Sequence, residues 1–372
     1  MSNPKNLIAM GNSQLLPNEI EAALSVLKSG MLRQGKQCQL FESAFADKVG
    51  AKYGVACANG SASLHLAYMT FIEPGDEVLV PSFTFIATGS MVLAAGGKPV
   101  ICDVDPQTFL IDLEDAAKRI TDKTVAISPV NLFGNVCDIE AVQSFADKHH
   151  LKIVWDNAQC HGATYKGQDV GSFGDFASYS FYPSKNMFVG EGGMILTNDQ
   201  HTAEQLKCLR EHGQTDKYYH TMLGLNYRMT DVEAAIGQEQ LKRLDEMVQV
   251  RRQYAEYYNQ AFSDLTGVQL QKVLPEAQSA VHQYCLLIDE AKVGISRQQF
   301  IDKMLQAGIS TGIHYPRGLH QQPLFVERYG KQSLPISERL AAQIVAIQVH
   351  HGLTQQQVAY VAETVREVLA FD

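Results

Sequence analysis

Apolar residues along this chain change rhythm near residue 50. Before that point they recur at helical spacing. Ile20, Ala23, Leu24 and Leu27 predict an amphipathic helix over 17–30, and Leu40, Phe41, Phe45 and Val49 predict another over 39–49. Gly30 and Gly35 bracket MLRQ, a tight connection between them. From Tyr53 the pattern alternates. Short apolar runs at 54–58, 77–80, 99–103, 125–129 and 152–156 read as strands. Helical stretches at 62–71, 84–95, 113–119 and 138–149 separate them, the last with Asp138 in the N-cap position. Such alternation predicts an α/β fold with a mostly parallel sheet covered by helices on both faces. Two further strand-like runs, 177–181 and 194–197, flank a Gly-rich bend, and a helix is expected over 203–211.

A long helical stretch over 230–261 follows. We place a domain boundary inside it, giving a large domain over 1–245 and a smaller α+β domain over 246–372. The smaller part is expected to hold strands at 284–288 and 309–313 and helices at 297–306, 337–346 and 354–369.

Composition narrows the class. A chain of 372 residues with 45% hydrophobic and 19% charged content fits a globular protein of two domains. The formal charge is −9 without a basic tract, so nucleic acid is not an expected partner. Seven scattered cysteines, none in a CxxC pair, argue against a zinc site and against a secreted disulfide framework. No metal is expected. The opening MSNPKNLIAMGNSQ lacks a leader pattern and no apolar run is long enough for a membrane span, so the expected compartment is the cytoplasm.

Four places at strand ends carry candidate chemistry, because ligands in such sheets bind at the carboxyl ends of the strands. Asn59-Gly60-Ser61-Ala62-Ser63 opens a helix, where backbone N–H groups and the helix dipole suit a phosphate. A plain strand-to-helix turn reads equally well there. Phe85 follows a strand end and could stack on a flat heterocycle, although a single aromatic more often packs in a core. Asp156 closes an apolar strand, so its carboxylate needs a positive partner such as a protonated ring nitrogen; Gln159 could reach the same ring. His161 lacks a nucleophile partner and reads as structural or peripheral. Lys185 sits in the Gly-rich bend, with Ser180 five residues earlier as a possible anion ligand. Taken alone it would be an ordinary solvated lysine. Together the four places supply a phosphate cradle, a stacking ring, a carboxylate for a ring nitrogen and an amine for a Schiff base. Those are the parts a pyridoxal 5′-phosphate (PLP) enzyme needs.

In its motifs the chain resembles the DegT/DnrJ/EryC1/StrS group of sugar aminotransferases. SGMLRQG, ANGSASLHLA, PSFTFIAT, VWDNAQCHGA, SFYPSKN, GEGGMILTND, LREHG, GLNYRMTDVEAAIG and GIHYPRGLHQQP occur in the family's order and cover nearly the whole chain. The resemblance implies the aspartate-aminotransferase fold (fold type I) and a homodimer whose active sites straddle the interface. It makes Lys185 the covalent attachment point of PLP and a proton shuttle. It pairs Asp156 with the pyridine nitrogen, sets Gln159 at the ring oxygen and stacks Phe85 on the ring. Ser61, Ala62 and Ser180 would hold the phosphate, joined by Asn226 from the neighbouring subunit. Arg228 and the segment 312–323, with His314 and Tyr315, would line the sugar site. VWDNAQ departs from the commoner E-D-A-A pattern by placing Trp155 and Asn157 beside Asp156, which itself is kept. Lys185 argues against the dehydratase branch, which carries His at that position.

The implied activity is amino transfer from glutamate to C-3 or C-4 of a UDP- or dTDP-linked keto-sugar, for a cell-surface polysaccharide. A keto-cyclitol transaminase of antibiotic synthesis and a PLP-binding regulator without turnover are the alternatives.

Overall fold

The computed structural model describes residues 7–369. The first six residues of the segment read for a leader lie outside the described residues.

Seven strands form the main sheet: β1 (Tyr53–Cys57), β2 (Glu77–Pro81), β3 (Lys98–Cys102), β4 (Thr124–Ile127), β5 (Lys152–Asp156), β6 (Phe176–Ser180) and β7 (Gly193–Thr197). Their spatial order is β1-β7-β6-β5-β4-β2-β3. Pairings from β3 through β6 are parallel, whereas β7 runs antiparallel to both β6 and β1. The expected mostly parallel sheet is therefore present, with one reversed strand. That reversal needs no crossover helix, so the chain between β6 and β7 is a short excursion. It leaves at Ser180 and returns at its register partner Gly193, and Lys185 lies inside it.

Helices Pro17–Ser29, Lys36–Val49, Gly60–Met69, Ala87–Ala94 and Ile139–His149 match the predicted positions within a few residues. The Asp138 carboxylate accepts from the Ala141 amide, as an N-cap does. In the core, Phe41, Phe45, Tyr179 and Phe181 form a close-packed aromatic group, and Trp155 belongs to the same cluster.

In the last third, β8 (Val268–Leu270), β9 (Tyr284–Ile288) and β10 (Ile344–Ile347) make an antiparallel sheet in that order. Three expectations fail here. The stretch 230–261 is two helices, Asp231–Lys242 and Leu244–Ala261, broken at Arg243 with φ −111° and ψ 4°. The expected helix over 337–346 spans Pro335–Gln343 and then becomes β10, whose four apolar residues are all buried. A run apolar at every position suits a strand covered on both faces, not the last turn of an amphipathic helix. The expected strand over 309–313 makes only two isolated bridges, Ile8 to Ile309 and Gly312 to Ala346. Ile8 is buried in the same cluster as Tyr258, Leu286 and Val345, so the start of the described chain packs with its end.

Candidate active site

Asp156 is the last residue of β5 and is buried. Its Oδ2 accepts from the Thr88 hydroxyl at 2.8 Å and its Oδ1 from the Ala158 amide at 3.1 Å. Burial raises its pKa above the usual carboxylate range, against the pull of those two bonds and of Lys185. No basic side chain hydrogen-bonds it among the described residues. A buried carboxylate with two neutral donors and spare lone pairs fits a protonated ring nitrogen.

Lys185 has its backbone near the rim, anchored by its amide to the Tyr182 carbonyl at 2.9 Å. The residue is half-buried, and its side chain is close enough to Asp156 to feel its charge. Burial pulls its pKa down to about 8, opposed by the Asp156 charge. Nothing hydrogen-bonds Nζ among the described residues. About a tenth of such an amine is neutral at pH 7, far more than of a solvated lysine, and that neutral form is free to attack an aldehyde.

The helix Gly60–Met69 points its N-terminus at the same strand ends. Asn59 caps it: its side chain accepts from Ala62 N at 2.8 Å. The Ala62 amide is therefore already bonded in this chain, which leaves the Gly60 and Ser61 amides to meet an anion. Ser180 lies directly against this turn; a Cβ on Gly60 would stand 2.6 Å from that of Ser180. Only glycine lets the helix start approach the strand end so closely.

Phe85, 52% exposed, is one of the most exposed phenylalanine rings in the chain. It is not in the core, the commoner place of a single aromatic. It faces Tyr315, with ring centroids 6.0 Å apart. Gln159 spends its amide on protein groups: Oε1 accepts from Phe133 N at 2.7 Å and Nε2 donates to the Tyr315 hydroxyl at 3.1 Å. His314 adjoins Tyr315, and burial together with Lys185 lowers its pKa.

Asn226 and Arg228 are outside this hydrogen-bonded group. Asn226 is exposed and bridges to Glu211, whose carboxylate pairs with Arg228 at 3.2 Å. His161 is not peripheral. It is buried among Phe45, Tyr179 and Phe181, with both ring nitrogens unbonded and its pKa driven down to about 3 by burial. The residues missed in the sequence are Thr88, which holds Asp156, and His282, a buried neutral ring whose pKa Lys185 helps to depress. Thr88 lies within PSFTFIAT, so the motif contained it; nothing in the sequence around His282 pointed to the site.

A half-buried amine without a hydrogen bond and a buried carboxylate without a basic partner lie together with a helix N-terminus and an exposed aromatic ring. This combination, on this fold, defines a PLP-dependent enzyme of fold type I. Comparison with known proteins carries the assignment further. The model of the DegT/DnrJ/EryC1/StrS aminotransferase family matches residues 14–366, and the chain belongs to that family. It is 36% identical over 359 residues to a pleiotropic regulatory protein of Geobacillus stearothermophilus, covering 95% of each chain. It is 36% identical to the UDP-N-acetyl-3-dehydro-alpha-D-glucosamine 3-aminotransferase of Acidithiobacillus ferrooxidans, covering 90% of this chain and 89% of the other. The crystal structure of S. venezuelae DesV in complex with ketimine intermediate superposes with a TM-score of 0.91 at 33% identity, covering 95% of each chain. The protein is a PLP-dependent sugar aminotransferase.

Proposed function

We propose that this enzyme moves an amino group from glutamate to the C-3 or C-4 keto group of a nucleotide-linked keto-sugar, yielding an amino sugar for a surface polysaccharide. The observation that carries the reading is the Lys185–Asp156 pair: a buried carboxylate at the end of β5 and a half-buried amine in the excursion after β6, neither hydrogen-bonded to an opposite charge. The relative from Acidithiobacillus supports the substrate class, since its name specifies a UDP-linked 3-dehydro sugar.

PLP, when bound, supplies the electron sink that amino transfer needs. The rest of the work belongs to side chains. Lys185 holds the cofactor and afterwards moves a proton at Nζ, a role its lowered pKa suits. Asp156 keeps a proton on the ring nitrogen, and Thr88 fixes the carboxylate that does so. The Gly60 and Ser61 amides, the Ser61 and Ser180 hydroxyls and the positive end of the helix hold the phosphate. Ala62 contributes its place in that turn more than its amide. Phe85 stacks on the ring, Gln159 sets Tyr315 beside it, and His314 and Arg228 face the sugar nucleotide.

We further assign Asn226 to the cofactor phosphate of a partner subunit, in a cytoplasmic homodimer. Its exposure on a segment flanked by exposed Tyr218, Tyr219 and Leu223 supports this. The seven cysteines, all free and buried, fit a reducing compartment. The division near residue 245 falls beside the helix break at Arg243, with residue 8 packing in the smaller unit.

Adding glutamate to the PLP-loaded protein should convert the cofactor to its amine form. A panel of nucleotide keto-sugars should then return it to the aldehyde form with one of them. The name of the Geobacillus relative favours a second reading, a PLP-binding regulator; conversion absent with every amino donor would select it.

A further inference from the structure

Three residues far apart in sequence make one hydrogen-bonded row behind the site. Ser82 lies just past the end of β2, His320 sits in a short 3-10 turn (Leu319–Gln321), and Glu338 is in the helix Pro335–Gln343. His320 Nδ1 is 2.6 Å from Ser82 Oγ, and its Nε2 is 3.2 Å from Glu338 Oε1. The roles follow from the ends. A carboxylate accepts only, so Nε2–H donates to Glu338; Nδ1 is then a lone pair, and the Ser82 hydroxyl donates to it. The same Glu338 oxygen accepts from Leu334 N at 3.1 Å, and Leu319 N donates to the Ser82 carbonyl at 2.7 Å. Ser–His–Glu is also the composition of a hydrolytic triad. Ser82 is 0% exposed and His320 is 2% exposed, so no substrate reaches that hydroxyl. The row must act through what it holds.

It holds two loops. Ser82 is three residues before Phe85, and His320 is five residues after Tyr315. Phe85 and Tyr315 face each other, and the Tyr315 hydroxyl is tied to Gln159. We propose that Ser82, His320 and Glu338 are positioning residues, a latch that fastens the 312–321 segment to the end of β2 and so sets the Phe85–Tyr315 wall of the cofactor pocket. Burial lowers the pKa of His320, which keeps the ring in the neutral form that this bonding pattern requires. The link to the cofactor rests on the proposed function; the fastening itself does not.

The test uses Ser82→Ala, which removes one hydroxyl and little volume. In the apoprotein, amide exchange over 83–86 and 313–321 should quicken by about tenfold, the effect of one lost neutral hydrogen bond, while the rest of the chain keeps its protection. In the full protein, PLP affinity should fall by a similar factor. His320→Asn retains a group at the Nδ1 position and should protect 313–321 better than His320→Gln, which reaches toward Glu338 instead. Unchanged exchange in Ser82→Ala overturns the proposal. So does faster exchange spread over the whole chain, which marks a merely structural loss, and so does local loosening with unchanged PLP affinity. Should the wild-type protein bind no PLP, the proposed function fails, and the apoprotein exchange still decides the fastening.

Discussion

Two acid–base pairs of this protein are built in opposite ways. Glu42 and Arg210 sit beside β1. Glu42 accepts from Arg210 Nη1 and from Ala56 N, while the same Nη1 donates to the Ala56 carbonyl. With its amide oxygen turned toward the guanidinium, Gln34 accepts from Nε and Nη2. That pair is closed: both charges are matched and further backbone groups are bonded. Asp156, at the end of β5, is buried, Lys185, in the excursion after β6, is half-buried, and both are left open. One has two neutral donors and the other has no hydrogen-bond partner among the described residues. A closed pair fastens structure, and breaking it exposes one partner to the cost of burial alone. An open pair costs stability continuously, and a chain keeps it where an incoming group will close it.

Four substitutions probe the contrast. Lys185→Ala should remove turnover by several decades, on the order of 10⁴-fold or more, as loss of a covalent nucleophile does. Its apoprotein should melt within a few degrees of wild type, because the lost amine had no hydrogen bond to break and only the Asp156 charge as a neighbour; substantial residual turnover would sink the assignment. Glu42→Ala should do the reverse. It leaves Arg210 buried and unmatched, so urea unfolding should show a loss of about 3–5 kcal/mol, with PLP binding by the surviving fold unchanged. Asp156→Asn should lower the rate about 10- to 100-fold, the worth of one charge-assisted hydrogen bond of about 1.5–3 kcal/mol, while PLP is retained through its phosphate. Steady-state kinetics beside a PLP titration separates the two. Asn226→Ala is the mildest. Thr230 already caps the helix Asp231–Lys242 through a capping box, so Asn226 has no cap to lose. Stability should stay within about 0.5 kcal/mol. PLP affinity should fall about tenfold, as for one hydrogen bond to the phosphate, and sedimentation should show a dimer less strengthened by PLP. Unchanged affinity would place Asn226 outside the site.

The sheet was legible because each buried parallel strand is a short apolar run set off by a helix of different period. β10 was not, because its four apolar residues follow a helix directly, without a glycine or proline between them. The break at Arg243 was hidden for the same reason: no helix-breaking residue marks it. Asp156 and Lys185 could be read from chain position, one at the end of a strand and the other in the Gly-rich bend between two strands, each inside a motif. Their unmet bonding could not, since it depends on Thr88 and on what packs around both groups. The bond between Ser82 and His320 joins positions 238 residues apart, and no local pattern announces such a contact. His161 was half legible: its lack of a nucleophile partner was visible, its nest of aromatic rings was not.

The open state of Lys185 is the centre of this account, and its titration tests it directly. Apoprotein mixed with PLP over a range of pH, reduced with borohydride and mapped by mass, reports how fast the adduct forms at Lys185. Only the neutral amine attacks, so the rate should climb with pH and level off above the pKa of that amine. The half-maximum should fall near pH 8, where burial places the group. A rate still climbing toward the ordinary lysine value of 10.5, or an adduct distributed over other lysines, would contradict it.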